Sequence, residues 1–128
     1  MARKRNSGPT EKELQILSIL WKYGLSTVRE VNSKINQNET AGYTTTLKLM
    51  QIMFEKGLLR RDESSKTHVY TPANPENLVQ KEIIGSLLSR VFAGSTEKLV
   101  MSALSAKKVS RDELEKIKVL IRQKEREL

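Results

Sequence analysis

The chain has 128 residues, a hydrophobic fraction of 38% and a net charge of +8 with a pI near 9.8; this bounds it to one domain, or a small domain with an appendage, and favours a polyanionic partner. Cysteine is absent, which excludes a disulfide framework and a thiolate metal site. No run approaches the ~18 apolar residues of a membrane span, and the N-terminus lacks the apolar stretch of a signal peptide, so a cytoplasmic protein is expected.

Residues 1–9 read as a flexible basic arm. Arg3, Lys4 and Arg5 are consecutive and are followed by Asn-Ser-Gly-Pro. The arm is either a solvated tail or a strap along a DNA backbone. Thr10 and Glu13 form a capping-box pattern. Leu14, Ile16, Leu17, Leu20 and Trp21 then recur at helical spacing, which predicts a first helix up to Tyr23, ended by Gly24. Trp21 extends this stripe and is expected in the core. Leu25 and Ser26 form a short link. Thr27 and Glu30 repeat the capping-box pattern, and Val28, Val31 and Ile35 give a second helix a narrow apolar stripe.

After a polar loop at 37–42, the residues 42–57 read GYTTTLKLMQIMFEKG. At about 100° per residue, Leu47, Met50, Met53 and Phe54 share one face, with Leu49 at its edge. Thr44, Lys48, Gln51 and Glu55 form the opposite stripe, with Thr45 and Lys56 beside it. Gly57 is suited to end the helix in a left-handed conformation. The polar stripe is either a solvated face or a surface for phosphates and base edges.

The period changes at residue 58. Residues 58–63 predict a strand, Ser64, Ser65 and Lys66 a tight turn, and 67–71 a second, β-branched and aromatic strand. Pro72 and Pro75 close the hairpin. Three helices and a hairpin in about 65 residues are the winged form of the helix-turn-helix. The domain is placed at 10–74. Thr44, Thr45, Lys48 and Gln51 are its candidate groove residues. Arg60, Arg61 and Lys66 are candidates for flanking phosphates, and Arg3, Lys4 and Arg5 add to them.

The remaining residues, 75–128, are again helical. Leu78, Ile83, Ile84, Leu87, Leu88, Val91 and Phe92 mark a fourth helix ending near Gly94. Ser95 or Thr96 caps a fifth with Leu99, Val100, Ala103 and Leu104. Ser110 caps a sixth carrying Leu114, Ile117, Leu120, Ile121 and Leu128. No later element covers these apolar faces, and a two-fold partner is the economical cover. Leu99, Leu114, Ile117, Leu120 and Ile121 are the candidate dimerisation residues. The fold class is therefore mainly α with a small β-hairpin, a winged helix-turn-helix followed by an α-helical dimerisation domain.

His68 is the sole histidine and has no neighbouring ligands, so neither metal nor cofactor is expected. No nucleophile elbow or glycine-rich phosphate loop occurs, and an enzyme has no residues to name. Two functional classes stay open: a DNA-binding repressor, and a winged-helix adaptor that binds protein without an operator.

The pattern T-E-K-E-L-Q-I-L, then L-W-x-x-G, T-V-R-E-V, Y-T-T, K-G-L-L-x-R and V-Y-T-P resembles the penicillinase-repressor family of bacterial repressors. The match is close from Thr10 to Pro72 and looser to the last helix. The resemblance implies a homodimer that binds a palindromic operator on double-stranded DNA before antibiotic-resistance genes. It adds Tyr43 to the reading residues. It further implies release by a membrane-bound sensor metalloprotease that cleaves the fifth helix. The family cleaves an Asn–Phe bond, whose matching positions here are Ser102 and Ala103. Those two are the candidate cleavage site, with departing side chains. The copper-sensing branch carries a C-terminal cysteine cluster that this chain lacks. Ile52 stands where relatives tend to be polar or basic, and Ser65-Lys66 replaces the usual Gly-Arg of the wing.

Overall fold

The computed structural model describes residues 8–128. Arg3, Lys4 and Arg5 lie outside the described residues. Helix α1 spans Glu11–Tyr23, α2 Val28–Ile35 and α3 Tyr43–Glu55; strands β1 (Leu59–Asp62) and β2 (Val69–Pro72) follow, then α4 (Glu76–Arg90), α5 (Thr96–Ala106) and α6 (Arg111–Arg126). Both expected capping boxes form. Thr10 Oγ1 accepts from the Glu13 amide at 3.2 Å while the Glu13 carboxylate accepts from the Thr10 amide at 2.9 Å. Thr27 and Glu30 do the same at 3.1 and 2.8 Å. Each box satisfies two amides that a helix start otherwise leaves open.

The chain falls into two compact units, one up to Ser86 and one from Leu87 to Leu128; the division lies inside α4, beyond the turn after Asn74. In the first unit, α1, α2, α3 and the hairpin enclose one core. Ile16, Leu17 and Leu20 of α1 meet Val28, Val31 and Ile35 of α2, Met50 and Met53 of α3, Leu59 of β1 and Tyr70 of β2. Tyr70 is the largest fully buried side chain. Trp21 is not at this centre. It packs against the core's margin, and its Nε1 donates to the Asn74 carbonyl at 3.1 Å, fastening the chain after the hairpin to α1.

The hairpin pairs Leu59 with Pro72, Arg60 with Thr71, Arg61 with Tyr70 and Asp62 with Val69. Its loop is six residues long, 63–68, and not the tight three-residue turn expected. The Asp62 carboxylate accepts from the Ser64 amide at 2.9 Å, which starts the loop as an Asx turn and holds that carboxyl below its ordinary value. On its other edge, Tyr70 exchanges backbone bonds of 2.8 and 3.1 Å with Ser26. The link between α1 and α2 thus supplies a third, one-residue strand that places β2 between two neighbours.

Glu13 has a second duty. Its carboxylate is nearly buried and pairs with Lys56 Nζ at 2.7 Å, tying the start of α1 to the end of α3. Burial alone pushes its pKa up; the Lys56 hydrogen bond and the Thr10 amide outweigh that and leave it below the ordinary 4.5. The charged form is thus favoured by folding, so the stabilisation is present above pH 4.5 and is lost as the pH falls through the lower folded value. Glu13→Gln should cost about 1–3 kcal/mol at neutral pH. In thermal melts between about pH 5 and pH 3 the wild type should lose more stability than this variant; parallel losses would exclude the linkage.

In the second unit, α5 begins at Ser95, whose hydroxyl accepts from the Lys98 amide at 3.1 Å, and α6 at Ser110, whose hydroxyl accepts from the Glu113 amide at 3.1 Å. Ala93 and Gly94 take positive φ of 52° and 81°, and the Gly94 amide donates to the Leu88 carbonyl at 2.7 Å. That tight turn ends α4 at Arg90, so Val91 and Phe92 lie in the turn and not in the helix. No residue of this unit is buried. Among the described residues, a set of helices with no interior holds its apolar side chains at the surface.

Candidate nucleic-acid interface

The turn from α2 to α3 sets which face of α3 is presented. Asn32 Nδ2 donates to the Ala41 carbonyl at 3.1 Å and to Thr46 Oγ1 at 2.8 Å. Asn36 Nδ2 donates to the same carbonyl at 2.8 Å, and Asn36 Oδ1 accepts from the Ala41 amide at 3.0 Å. Thr46 is buried by this contact. From the other side, Lys12 and Gln15 of α1 donate to the two Glu39 oxygens at 3.0 and 2.9 Å. The polar loop is thus anchored at both flanks.

With Thr46, Met50 and Met53 buried, helical geometry leaves the opposite side of α3 outward. Thr44, Thr45, Lys48, Gln51 and Glu55 are all exposed there. Ile52 is 39% exposed and lies on the flank of this face away from the hairpin, so it is not packed beneath the wing. On the other flank, Tyr43, Leu47 and Gln51 border a cleft of about 260 Å³ whose far walls are Thr27, Arg29, Lys66, Thr67 and His68, with Val28 and Tyr70 at its floor. The lone histidine is a cleft residue, half-buried, and among the described residues no group of carboxylates, cysteines or histidines is arranged to hold a metal.

The structure brings together Tyr43, Gln51 and Lys66 around this cleft, with Thr44, Thr45 and Lys48 on the adjoining crest. Arg60 is exposed on β1. Arg61 occupies a different setting from the one expected of a phosphate contact. Strand alternation places it on the same face as buried Leu59. Its guanidinium lies 3.9 Å from the centre of the Phe54 ring and pairs with Glu63 at 2.6 Å. Hydrogen bonds with Tyr70 and then Glu63 raise its pKa further. Its charge stiffens the base of the wing. Arg29 is the functional candidate that the sequence pattern did not single out. It carries no carboxylate partner among the described residues, and its guanidinium stacks 5.1 Å from the centre of the Tyr43 ring. Its place in the first turn of α2, beside a helix-turn-helix link, was the available signal.

Three helices around one core, an outward-facing polar stripe on the third and a two-stranded wing define a winged helix-turn-helix protein. The family model described as Penicillinase repressor matches residues 9–123, and the chain belongs to that family. It is 23% identical over 108 residues to the penicillinase repressor of Bacillus licheniformis, covering 84% of each chain. It is 19% identical over 112 residues to the methicillin resistance regulatory protein MecI of Staphylococcus epidermidis, covering 88% of this chain and 91% of that one. A MarR family protein structure from Bacillus stearothermophilus matches 93% of this chain and 74% of its own, with a TM-score of 0.52 at 18% identity, a likeness of fold. Family and fold together support a DNA-binding transcriptional repressor. Among the described residues no helix is long and apolar enough to cross a membrane.

Asn32→Ala should remove the bonds to Thr46 Oγ1 and to the Ala41 carbonyl and leave the Thr46 hydroxyl buried without this donor. A loss of about 1–3 kcal/mol follows, visible as a fall in the first unit's melting temperature of several degrees. An unchanged melt would show that the turn is held by other contacts.

Proposed function

We propose that the protein is a homodimeric repressor that inserts α3 into the major groove of a palindromic operator. The observation that carries the reading is the outward stripe of α3 continuous with a cleft walled by Arg29, Lys66 and His68 and free of acidic side chains. Thr44, Thr45, Lys48 and Gln51 offer exposed hydroxyl, ammonium and amide groups of the kinds that read base edges. Arg60 and Lys66 supply phosphate contacts from the wing, and Arg3, Lys4 and Arg5 supply further ones from the N-terminal arm. Ile52, exposed on the flank, suits a thymine methyl.

The dimer reading rests on the second unit. Its apolar residues remain open to solvent: Met101 is 62% exposed, Leu120 60% and Ile121 51%. Ile117, Leu120, Ile121 and Leu128 line an open groove of about 500 Å³, while Leu99 and Leu114 extend the apolar surface onto α5 and the start of α6. A second copy applied by a two-fold axis buries like against like. It also carries two reading helices, as an operator with two half-sites requires.

The likeness to a penicillinase repressor and a methicillin resistance regulator extends the proposal to antibiotic-resistance genes, and to relief of repression by a membrane-bound sensor metalloprotease. Ser102 and Ala103 are exposed on α5, and scission between them requires α5 to unwind locally. Mass spectrometry of the chain from induced cells tests this: a fragment ending at Ser102 is expected, and an intact chain in fully derepressed cells would remove proteolysis from the mechanism.

Against a duplex selected from a random library, Lys48→Ala should weaken binding about tenfold or more and leave the dimer mass unchanged. Lys66→Ala should reduce the log–log salt slope by about 0.9. Absence of salt-dependent duplex binding by the wild type would favour the adaptor class. Ile121→Asp or Ile117→Asp should give monomers in light scattering; a surviving dimer would reject the C-terminal interface.

A further inference from the structure

We infer that Arg29, held on the face of Tyr43, is a preformed clamp for one backbone phosphate of the DNA strand that passes between α3 and the wing. The inference rests on the repressor reading and adds to it a positioning pair. Three observations converge. The Arg29 guanidinium lies over the Tyr43 ring at 5.1 Å. Arg29, Tyr43 and Lys66 border the same cleft, and no acidic side chain lines it. Its nearest carboxylate in sequence, Glu30, is engaged by the Thr27 amide, and among the described residues neither Arg29 nor Lys66 has an ion-pair partner. A cation in a cleft without a counter-charge is matched by an anion from outside.

The geometry selects the anion. Tyr43, Leu47 and Gln51 form the cleft-side flank of α3, and the crest beside them carries Thr44 and Lys48. A strand whose bases meet the crest has its backbone along a flank of the helix. The cleft then lies where a phosphate passes, and Arg29 and Lys66 both line it. A planar guanidinium presents paired N–H donors that match two phosphate oxygens. Contact with the ring face restricts where that fork can lie. Tyr43 therefore acts through Arg29, as a positioning residue, and the contact carries no base identity.

The test uses the full-length protein and a duplex selected from a random library by the wild type. Arg29→Ala should reduce the log–log salt slope by about 0.9 and weaken binding to every sequence alike, without shifting base preference. Tyr43→Phe, which keeps the ring, should recover the Arg29-dependent part of the salt slope that Tyr43→Ala loses. Tyr43→Ala should weaken binding severalfold, and this effect should vanish in the Arg29→Ala background, because a residue acting through Arg29 has nothing left to position. Both side chains are exposed, so thermal melts should be unchanged and serve as the folding control. An unaltered slope in Arg29→Ala, with wild-type binding intact, overturns the clamp. An undiminished Tyr43→Ala effect in the double variant overturns the positioning role. A wild type that selects no duplex at all overturns the repressor reading, and the clamp with it.

Discussion

The presented face of α3 depends on two asparagine side chains. Asn32 of α2 and Asn36, which caps its C-terminus, lie one turn apart, and both amide groups converge on the carbonyl of Ala41. The buried Thr46 hydroxyl needs a partner, and these amides can meet it and the Ala41 carbonyl together only at one separation of α2 and α3. Rotation of α3 about its axis would withdraw Thr46 from Asn32 and expose Met50 and Met53. The polar clasp and the apolar packing therefore select the same rotation, and that rotation puts Thr44, Lys48 and Gln51 outward. A hydrophobic contact alone tolerates sliding; a bifurcated set of directional bonds does not.

The two units of the chain obey different stability rules. The first owns a core from five elements, capped helix starts and an ion pair between the start of α1 and the end of α3. The second has well-capped helices and no interior. Helices of 11 and 16 residues gain little from propensity alone in water. Their stability must come from packing, and the packing surface is turned outward. On the proposed dimer, burial of those side chains against a second copy would contribute at about 25 cal/mol per Å², and folding and association of this unit would then be one equilibrium.

Much of the first unit is legible in the sequence because its determinants are local. Thr10 with Glu13 and Thr27 with Glu30 mark two helix starts within four residues each, and the spacing of Ile16, Leu17 and Leu20 marks the buried side. The hairpin is announced by its change of period. What escaped is non-local or depends on register. Trp21 continues the apolar stripe of α1, yet its indole nitrogen is drawn to Asn74, 53 positions away. The Ser26–Tyr70 bridge joins a linker to a strand and has no pattern of its own. Arg61 looked like an external cation because it adjoins Arg60. Counting by two from Leu59 places it inward, against Phe54. Asn32 and Asn36 read as ordinary polar helix residues, since only the loop's return brings Ala41 to them. Arg29 was hidden for the same reason: its ring partner is supplied by the next helix. In the second unit the apolar spacing identified α5 and α6, whereas the end of α4 moved because Ala93 and Gly94 turn the chain early.

If the unit without an interior gains one from a second copy, as proposed, abundance itself becomes a signal. On the dimer reading, the concentration of the binding form rises with the square of the protomer concentration when the chain is scarce. Occupancy of a control site then switches over a narrower range of expression than a monomer would allow. Dilution at cell growth, or removal of a few protomers, acts twice: it lowers the number of chains and the fraction that is assembled. On that reading the exposed apolar side of α6 sets a threshold from outside the winged unit.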